Sequence, residues 1–150
     1  MNRLIVVGLM LLSATGCKHE IEPPDREARV MDAEARFELQ RFDTLNWESD
    51  DARALAGNEV FAAKCRTCHG TLGAGGTEYA TGRGLEVPSL IEPGWVLSDS
   101  LDAVRRRVFV GHASGMPTWG VAGISAREID AVAFYVLESL RPEVVNEGDR

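Results

Sequence analysis

The sequence predicts an all-α domain with three main helices over residues 51–142. Gly57, Phe61 and Cys65 are spaced four positions apart, so they fall on one face of a first helix. Two later segments of the domain also carry apolar residues at helical spacing. No alternation of strands and helices is visible in the sequence. These observations indicate helices packed around one core.

The composition fits one such domain with an N-terminal extension. The chain has 150 residues, of which 45% are hydrophobic, and this is enough to build a core. The formal net charge of −7 argues against a nucleic-acid partner, which would require a basic face. No internal repeat is present.

Residues 1–16 predict a cleaved bacterial signal peptide. Arg3 provides a cationic start, and the apolar run at residues 4–12 is too short to span a bilayer. The segment ATGC at residues 14–17 resembles a lipobox, which implies that Cys17 is lipidated and becomes the mature N-terminus. An ordinary signal peptide containing a cysteine is the alternative. Lipidation would hold the chain on the periplasmic side of a bacterial membrane.

Residues 17–50 are predicted to form a tether. Pro23 and Pro24 favour an extended start, whereas apolar side chains accumulate further along and permit a short helix. Two alternatives remain open for residues 26–47. The segment packs on its own domain, or it serves as a docking strap for a partner complex.

The stretch CRTCHG at residues 65–70 is compatible with three kinds of site. A structural zinc site needs four ligands, and Cys65, Cys68 and His69 are too close in sequence to act together. A thioredoxin-like dithiol is expected near a βαβ pattern, which is absent from the sequence. The third alternative is covalent attachment of haem, in which the two thiols add to the vinyl groups and the histidine binds the iron.

The combination of this motif with Gly57 and Phe61 resembles the small monohaem class I cytochromes c. The resemblance implies that the N- and C-terminal helices cross and that helices and loops enclose the haem. It also implies one covalently bound haem c, attached to Cys65 and Cys68, with His69 as the proximal ligand. Pro88 in the sequence VPSL is the family's expected carbonyl acceptor for the other histidine nitrogen.

A further helix is predicted around Leu101, Val104 and Val108, whose apolar side chains share a face. The run Arg105-Arg106-Arg107 lies opposite them and is interpreted as a solvated face, with a docking patch as the alternative. Four other side chains are weak candidates for bonding the haem propionates or shielding the haem edge, and ordinary packing is as good an interpretation: Tyr79, Arg83, Trp95 and Trp119.

The segment GHASGMPTWG at residues 111–120 resembles the distal loop of the family, where a methionine followed by proline supplies the sixth iron ligand. The match implies that Met116 is this ligand, and thioether sulfur suits a haem iron of relatively high potential. His112 is the competing candidate. Core filling is the alternative role for the methionine.

The last helix is predicted to start at Ser125, which has capping-box spacing to Glu128, and to end at Arg141-Pro142. Residues 143–150 are predicted to be a tail. The resemblance implies that this helix crosses the first one and places an aromatic side chain against it. Tyr135 is the better match for that position and Phe134 is the alternative.

These expectations together predict a membrane-anchored single-electron carrier rather than an enzyme. With His69 and Met116 on the iron, no coordination site is open to a substrate. Membrane-bound redox complexes would be its electron donor and acceptor. One alternative is a fixed monohaem subunit of a larger respiratory quinol-oxidising complex, held through residues 26–47. The sequence MDAEARF at residues 31–37 resembles such a subunit of alternative complex III. A haem enzyme or gas sensor with a displaceable methionine is the second alternative.

Overall fold

The computed structural model describes residues 25–142, and the all-α prediction is confirmed because no strand occurs among them. The predicted signal peptide, Cys17 and the tail lie outside the described residues. Seven α-helices are present in this part of the chain: α1 (Arg26–Ala35), α2 (Asp50–Val60), α3 (Arg66–His69), α4 (Glu78–Thr81), α5 (Leu101–Val110), α6 (Trp119–Ala122) and α7 (Ala126–Tyr135).

Helices α2 and α7 cross at Gly57. A Cβ atom at this position would lie 2.5 Å from Cβ of Tyr135 and would collide with the carbonyl oxygen of Ala131. Only glycine therefore permits the two helix backbones to approach this closely. One turn further on, the rings of Phe61 and Tyr135 pack with their centroids 5.7 Å apart. The predicted crossing and the choice of Tyr135 are both confirmed.

Both crossing helices continue through a π-helical turn. After α2 the turn is Phe61–Cys65, and the backbone N–H of Arg66 donates to the carbonyl of Phe61, five residues back. After α7 the turn is Val136–Leu140. A π turn contains one more residue than an α-helical turn, so the residues after it are rotated about the helix axis. Gly57 and Phe61 are buried, whereas Cys65 beyond the shift is only half-buried.

Asp130 of α7 is a buried carboxylate, 1% exposed, held by three donors from separate parts of the chain. The indole nitrogen of Trp47 donates to its Oδ2 atom at 2.7 Å, and Nε of Arg53 in α2 donates to the same atom at 2.9 Å. Nε of Arg105 in α5 donates to Oδ1 at 2.9 Å. The N-terminal segment, α2 and α5 are thus bonded to one side chain of the last helix.

The segment before α2 packs on its own domain. Ala33 is fully buried and Phe42 in the 3₁₀ turn Leu39–Phe42 is 4% exposed. The ring of Phe37 lies edge-on to that of Phe109 in α5, with 5.5 Å between centroids. Of the two alternatives for residues 26–47, the structure therefore favours packing on the domain, and the short helix is confirmed as α1.

Each of the three consecutive arginines of α5 has a partner within the domain. Arg105 bonds Asp130, and Arg106 pairs with Glu34 of α1 through an NH2–Oε2 distance of 2.6 Å. Arg107 donates to the carbonyl oxygen of Gly111 at the end of the helix, at 3.4 Å. Arg106 is exposed, as predicted for a solvated face, whereas Arg105 and Arg107 are partly buried.

Replacing Gly57 by alanine is expected to destabilise the fold by at least about 2 kcal/mol, although alanine is the better helix former, because the new methyl group collides with α7. Gly94→Ala is the matched control, since no atom lies within 4 Å of a Cβ built there. Its free energy of unfolding should stay within about 0.5 kcal/mol of the parent. Denaturant titration measures both, and equal stabilities would contradict the crossing.

Asp130→Asn is expected to cost about 3–5 kcal/mol, because it leaves two arginines beside a neutral buried group. Burial alone raises the pKa of Asp130, but the bonds from Arg53, Arg105 and Trp47 outweigh it and hold the pKa below its ordinary value of 3.8. The carboxylate therefore stabilises the fold above that value, and the contribution is lost as the pH falls through the lowered pKa.

Urea titrations between pH 7 and pH 2 check both parts of this expectation. The parent should lose more stability on acidification than Asp130→Asn does. Asp102→Asn, which removes an exposed partner of the same Arg105, serves as the control and should change stability by less than about 1 kcal/mol. Identical acid profiles for parent and Asp130→Asn would refute the role of the carboxylate.

Candidate haem site

The CRTCH motif lies where the π turn passes into α3. Cys65 ends the π turn, and Cys68 and His69 belong to the single turn of α3. Both cysteines are half-buried free thiols, not joined in a disulfide. The two thiols are thus available for covalent attachment, and His69 follows them directly on the same helical turn.

Burial, with a smaller contribution from the nearby Cys68, raises the pKa of the Cys65 thiol to about 12. A catalytic dithiol needs the opposite, a thiol whose pKa is lowered so that the thiolate forms near neutral pH. The electrostatics of Cys65 do not match a thioredoxin-like centre. Within residues 25–142, no group of three or more His, Cys, Asp or Glu side chains is arranged to hold a metal ion.

The imidazole of His69 is uncharged at neutral pH, as a metal ligand must be. Burial lowers its pKa below the ordinary value of 6.5, so the ring carries no charge at neutral pH. Neutral imidazole is the form that binds iron. Its Nδ1 atom is buried and is the one buried side-chain nitrogen or oxygen in the described part of the chain that has no hydrogen-bond partner.

The loop containing Pro88 runs beside the haem motif. The backbone N–H of Leu90 donates to Gly73 O at 2.8 Å, and Gly75 N–H donates to His69 O at 2.8 Å. Gly75 adopts φ +74°, and a Cβ there would lie 2.5 Å from Val87 O, so this approach requires glycine. The structure records no bond from His69 Nδ1 to the Pro88 carbonyl, and Pro88 as the acceptor stays a prediction.

Two residues that the sequence did not single out hold this loop in place. The hydroxyl of Thr77 donates to Thr67 O at 2.8 Å and accepts from Ala80 N–H at 3.2 Å, which joins the end of α3 to the start of α4. Arg141, beyond α7, donates to the backbone carbonyl of Leu90. The position of Thr77, three residues before Ala80, is typical of a helix cap and could have predicted its contact. No sequence pattern indicated the contact of Arg141.

Met116 closes a short turn between α5 and α6. The backbone N–H of His112 donates to Met116 O at 3.0 Å, and Gly115 N–H donates to His112 O at 3.0 Å. The Met116 side chain is half-buried against the hydrophobic core. The His112 ring is exposed, and its Nδ1 atom lies 2.6 Å from the hydroxyl of Ser114. Burial therefore favours Met116 over His112 as the inward-facing ligand.

The two predicted motifs lie on the same part of the molecule. Lys64, directly before Cys65, places its amino group 6.0 Å from the ring centroid of Trp119, which follows the methionine turn. Cys65 and Met116 both pack against the same buried core. The fold thus brings together the attachment motif and the distal loop, which are separated by some fifty residues in the sequence.

The remaining weak candidates have partners within the protein. Arg83 stacks on Tyr79, with its guanidinium carbon 3.7 Å from the ring centroid, and Arg141 stacks on Trp95 at 5.3 Å. Trp119 contacts Lys64, as described above. Ordinary packing therefore accounts for these side chains, and their roles toward a haem stay predictions.

The residues fit a haem group. Two free thiols one turn apart suit the vinyl groups, and a half-buried imidazole whose pKa is lowered by burial suits the iron. The half-buried thioether of Met116 would complete the donor set. Cys65, Cys68, His69 and Met116 would hold such a group, and it would supply one-electron redox chemistry.

Comparison with known proteins supports this assignment. The family model described as cytochrome c oxidase, cbb3-type, subunit III matches residues 52–136, which is more than half of the chain. The chain belongs to that family. The match covers α2 through the start of the last π turn, which is the crossing-helix scaffold with both motifs. The prediction of a cytochrome c domain is confirmed.

Two curated relatives are cbb3-type cytochrome c oxidase subunits. CcoP of Rhodobacter capsulatus is 32% identical over 94 residues, which cover 59% of this chain and 30% of the relative. FixP of Azorhizobium caulinodans is 31% identical over 87 residues, which cover 58% of this chain and 27% of the relative. The chain thus matches under a third of each relative's length. No solved structure gives a significant match.

The described part of the chain contains no membrane-spanning segment. Among residues 25–142, every helix is too short or too polar to cross a bilayer.

Covalent attachment predicts that Cys65→Ala/Cys68→Ala loses its haem to acidic organic solvent, because only thioether bonds resist this extraction. The parent should keep its haem after the same treatment, as should Cys17→Ser, which removes the third cysteine of the chain. Haem staining after denaturing electrophoresis reads out all three proteins. Haem retained by the double variant would exclude attachment through CRTCH.

Ligation by Met116 predicts that Met116→His stays six-coordinate and low-spin, with a lower reduction potential. Imidazole donates more strongly than thioether and stabilises the ferric state. Met116→Ala should open the position and bind carbon monoxide or cyanide rapidly. Met31→His is the matched control, because Met31 is 73% exposed on α1. Potentiometric titration with optical spectra measures the effect, and a potential in Met116→His equal to that of the control would disprove ligation.

Proposed function

We propose that this chain is a one-electron transfer subunit of a membrane-bound respiratory complex. It would carry one covalent haem c on Cys65 and Cys68, with His69 and Met116 as axial ligands. The observation that carries the proposal is the family match over residues 52–136, which contains both the attachment motif and the methionine turn. The names of the relatives support a subunit better than a free carrier.

The site chemistry favours electron transfer over catalysis. His69 and Met116 would both hold the iron, and an iron held by two protein ligands would be suited to electron transfer rather than to binding a substrate. His69 would act as a neutral ligand because burial lowers its pKa. The backbone bonds of the His112–Met116 turn would hold in place the segment that carries the thioether. A bound haem would contribute the exchange of one electron.

A freely diffusing, membrane-anchored carrier is the second candidate, and the packing of the N-terminal segment favours it. Most apolar side chains of this segment pack on the chain's own domain, so that face is not available to a partner, whereas Met31 and Leu39 stay exposed. A stable subunit would have to bind its complex through other surfaces. Lipidation at Cys17 would keep either form at the membrane. The chain from Cys17 to Asp25 can span at most about 30 Å, so the domain would lie within that distance of the anchor.

Co-purification from membranes solubilised in mild detergent tests the proposal. A fixed subunit should elute with other haem-containing chains in a constant ratio, and Cys17→Ser should elute with them as well because protein contacts hold it. A free carrier should elute alone, and its Cys17→Ser variant should appear in the soluble fraction while still carrying haem. Elution of the parent as a single chain under every mild condition would refute the subunit assignment.

A further inference from the structure

A cavity of about 230 Å³ lies between the start of α1 and the methionine turn. Its walls include Arg26, Arg29 and Val30 from α1, and from the turn they include His112 and Thr118. The side chains of both arginines are exposed, so the cavity opens to solvent. Met116 also lines this space, whereas none of the CRTCH residues does.

The lining of the cavity is cationic and contains no acidic side chain. Two carboxylates of α1 are engaged elsewhere, since Asp32 pairs with Arg36 at 2.9 Å and Glu34 pairs with Arg106. Asp25 accepts a hydrogen bond from the backbone N–H of Glu27 as the helix cap. None of these carboxylates lines the cavity, and neither does Glu27, the remaining acidic side chain of α1.

Arg26 and Arg29 differ from most other arginines of the domain. Nine of the twelve arginines within residues 25–142 bond a carboxylate or carbonyl or stack on a ring, whereas no such contact is recorded for Arg26, Arg29 or Arg66. Like charges three positions apart on a helix repel each other. This repulsion between the two arginines is relieved when an anion binds between them in the cavity.

The chemistry of the wall selects the type of anion. A guanidinium presents a planar fork of N–H donors that matches phosphate or carboxylate oxygens in pairs. Two such forks and the nearby hydroxyl of Thr118 can supply donors to several oxygens at once, as a tetrahedral phosphate group offers. A cavity of about 230 Å³ has room for that group and bridging water.

We propose that this cavity is a binding site for a phosphate group, held by Arg26 and Arg29 against the methionine turn. The phosphate could belong to a lipid headgroup or to a free phosphate in solution, and both present negatively charged phosphate oxygens to the arginines. Binding would join α1 to the turn that holds Met116. The site does not depend on the respiratory partner of the chain.

Isothermal titration of the full-length, haem-loaded chain in neutral detergent at low salt tests this site. One arm uses inorganic phosphate, and the other uses glycerophosphoglycerol, a soluble phosphodiester headgroup without acyl chains. One of the two should bind with one-to-one stoichiometry. Binding of the phosphodiester alone indicates a lipid as the natural source, and binding of inorganic phosphate indicates a soluble one.

Arg26→Gln/Arg29→Gln should weaken binding by at least about tenfold, because two charged hydrogen-bond donors are lost. Arg36→Gln is the matched control: it removes one charge from the same segment, away from the cavity, and should change the affinity by no more than about twofold. If the double variant loses its native optical spectrum, Arg26→Lys/Arg29→Lys replaces it and should also bind more weakly.

Three results would overturn the proposal. The first is that neither compound binds the haem-loaded parent, which is expected if the haem propionates fill the cavity. The second is that Arg36→Gln weakens binding as much as the double variant does, which would mean that only net charge matters. The third is that the lysine variant binds as tightly as the parent, which would remove the role of the guanidinium forks.

Discussion

The close approach of α2 and α7 at Gly57 is the constraint on which the rest of the molecule depends. With no side chain at this point, the two backbones approach far enough for Phe61 to lie against Tyr135. The π turn that follows Phe61 then sets the direction in which Cys65 leaves the helix. A wider crossing would displace the attachment motif from the core that it shares with Met116.

The buried carboxylate of Asp130 holds the other elements onto this crossing. Its bonds to Trp47, Arg53 and Arg105 join the N-terminal segment, α2 and α5 to α7. Because α5 leads directly into the methionine turn, the position of that turn follows from the same network. The buried ion pairs and the helix packing thus together place the two short segments of the candidate haem site.

The sequence predicted the parts of the molecule that rest on local patterns. Capping spacing at Ser125 and the glycine–aromatic register at Gly57 depend on residues a few positions apart, and the structure confirms the crossing they imply. The Asp130 network joins residues up to 83 positions apart, which no periodicity reveals. The packing of residues 26–47 could not be predicted either, because the sequence of an apolar face does not show which surface covers it. The structure shows that Phe37 of this segment packs against Phe109 of α5.

The central claim is that one iron is held by His69 and Met116 in this scaffold. Proton NMR of the reduced protein tests it most directly, because a methionine bound to haem iron lies above the ring and its methyl protons are strongly shielded by the ring current. The account predicts one three-proton resonance far upfield of all others, which disappears in Met116→Leu while the covalent haem is retained. Absence of this resonance from the parent, or its persistence in Met116→Leu, would contradict the account.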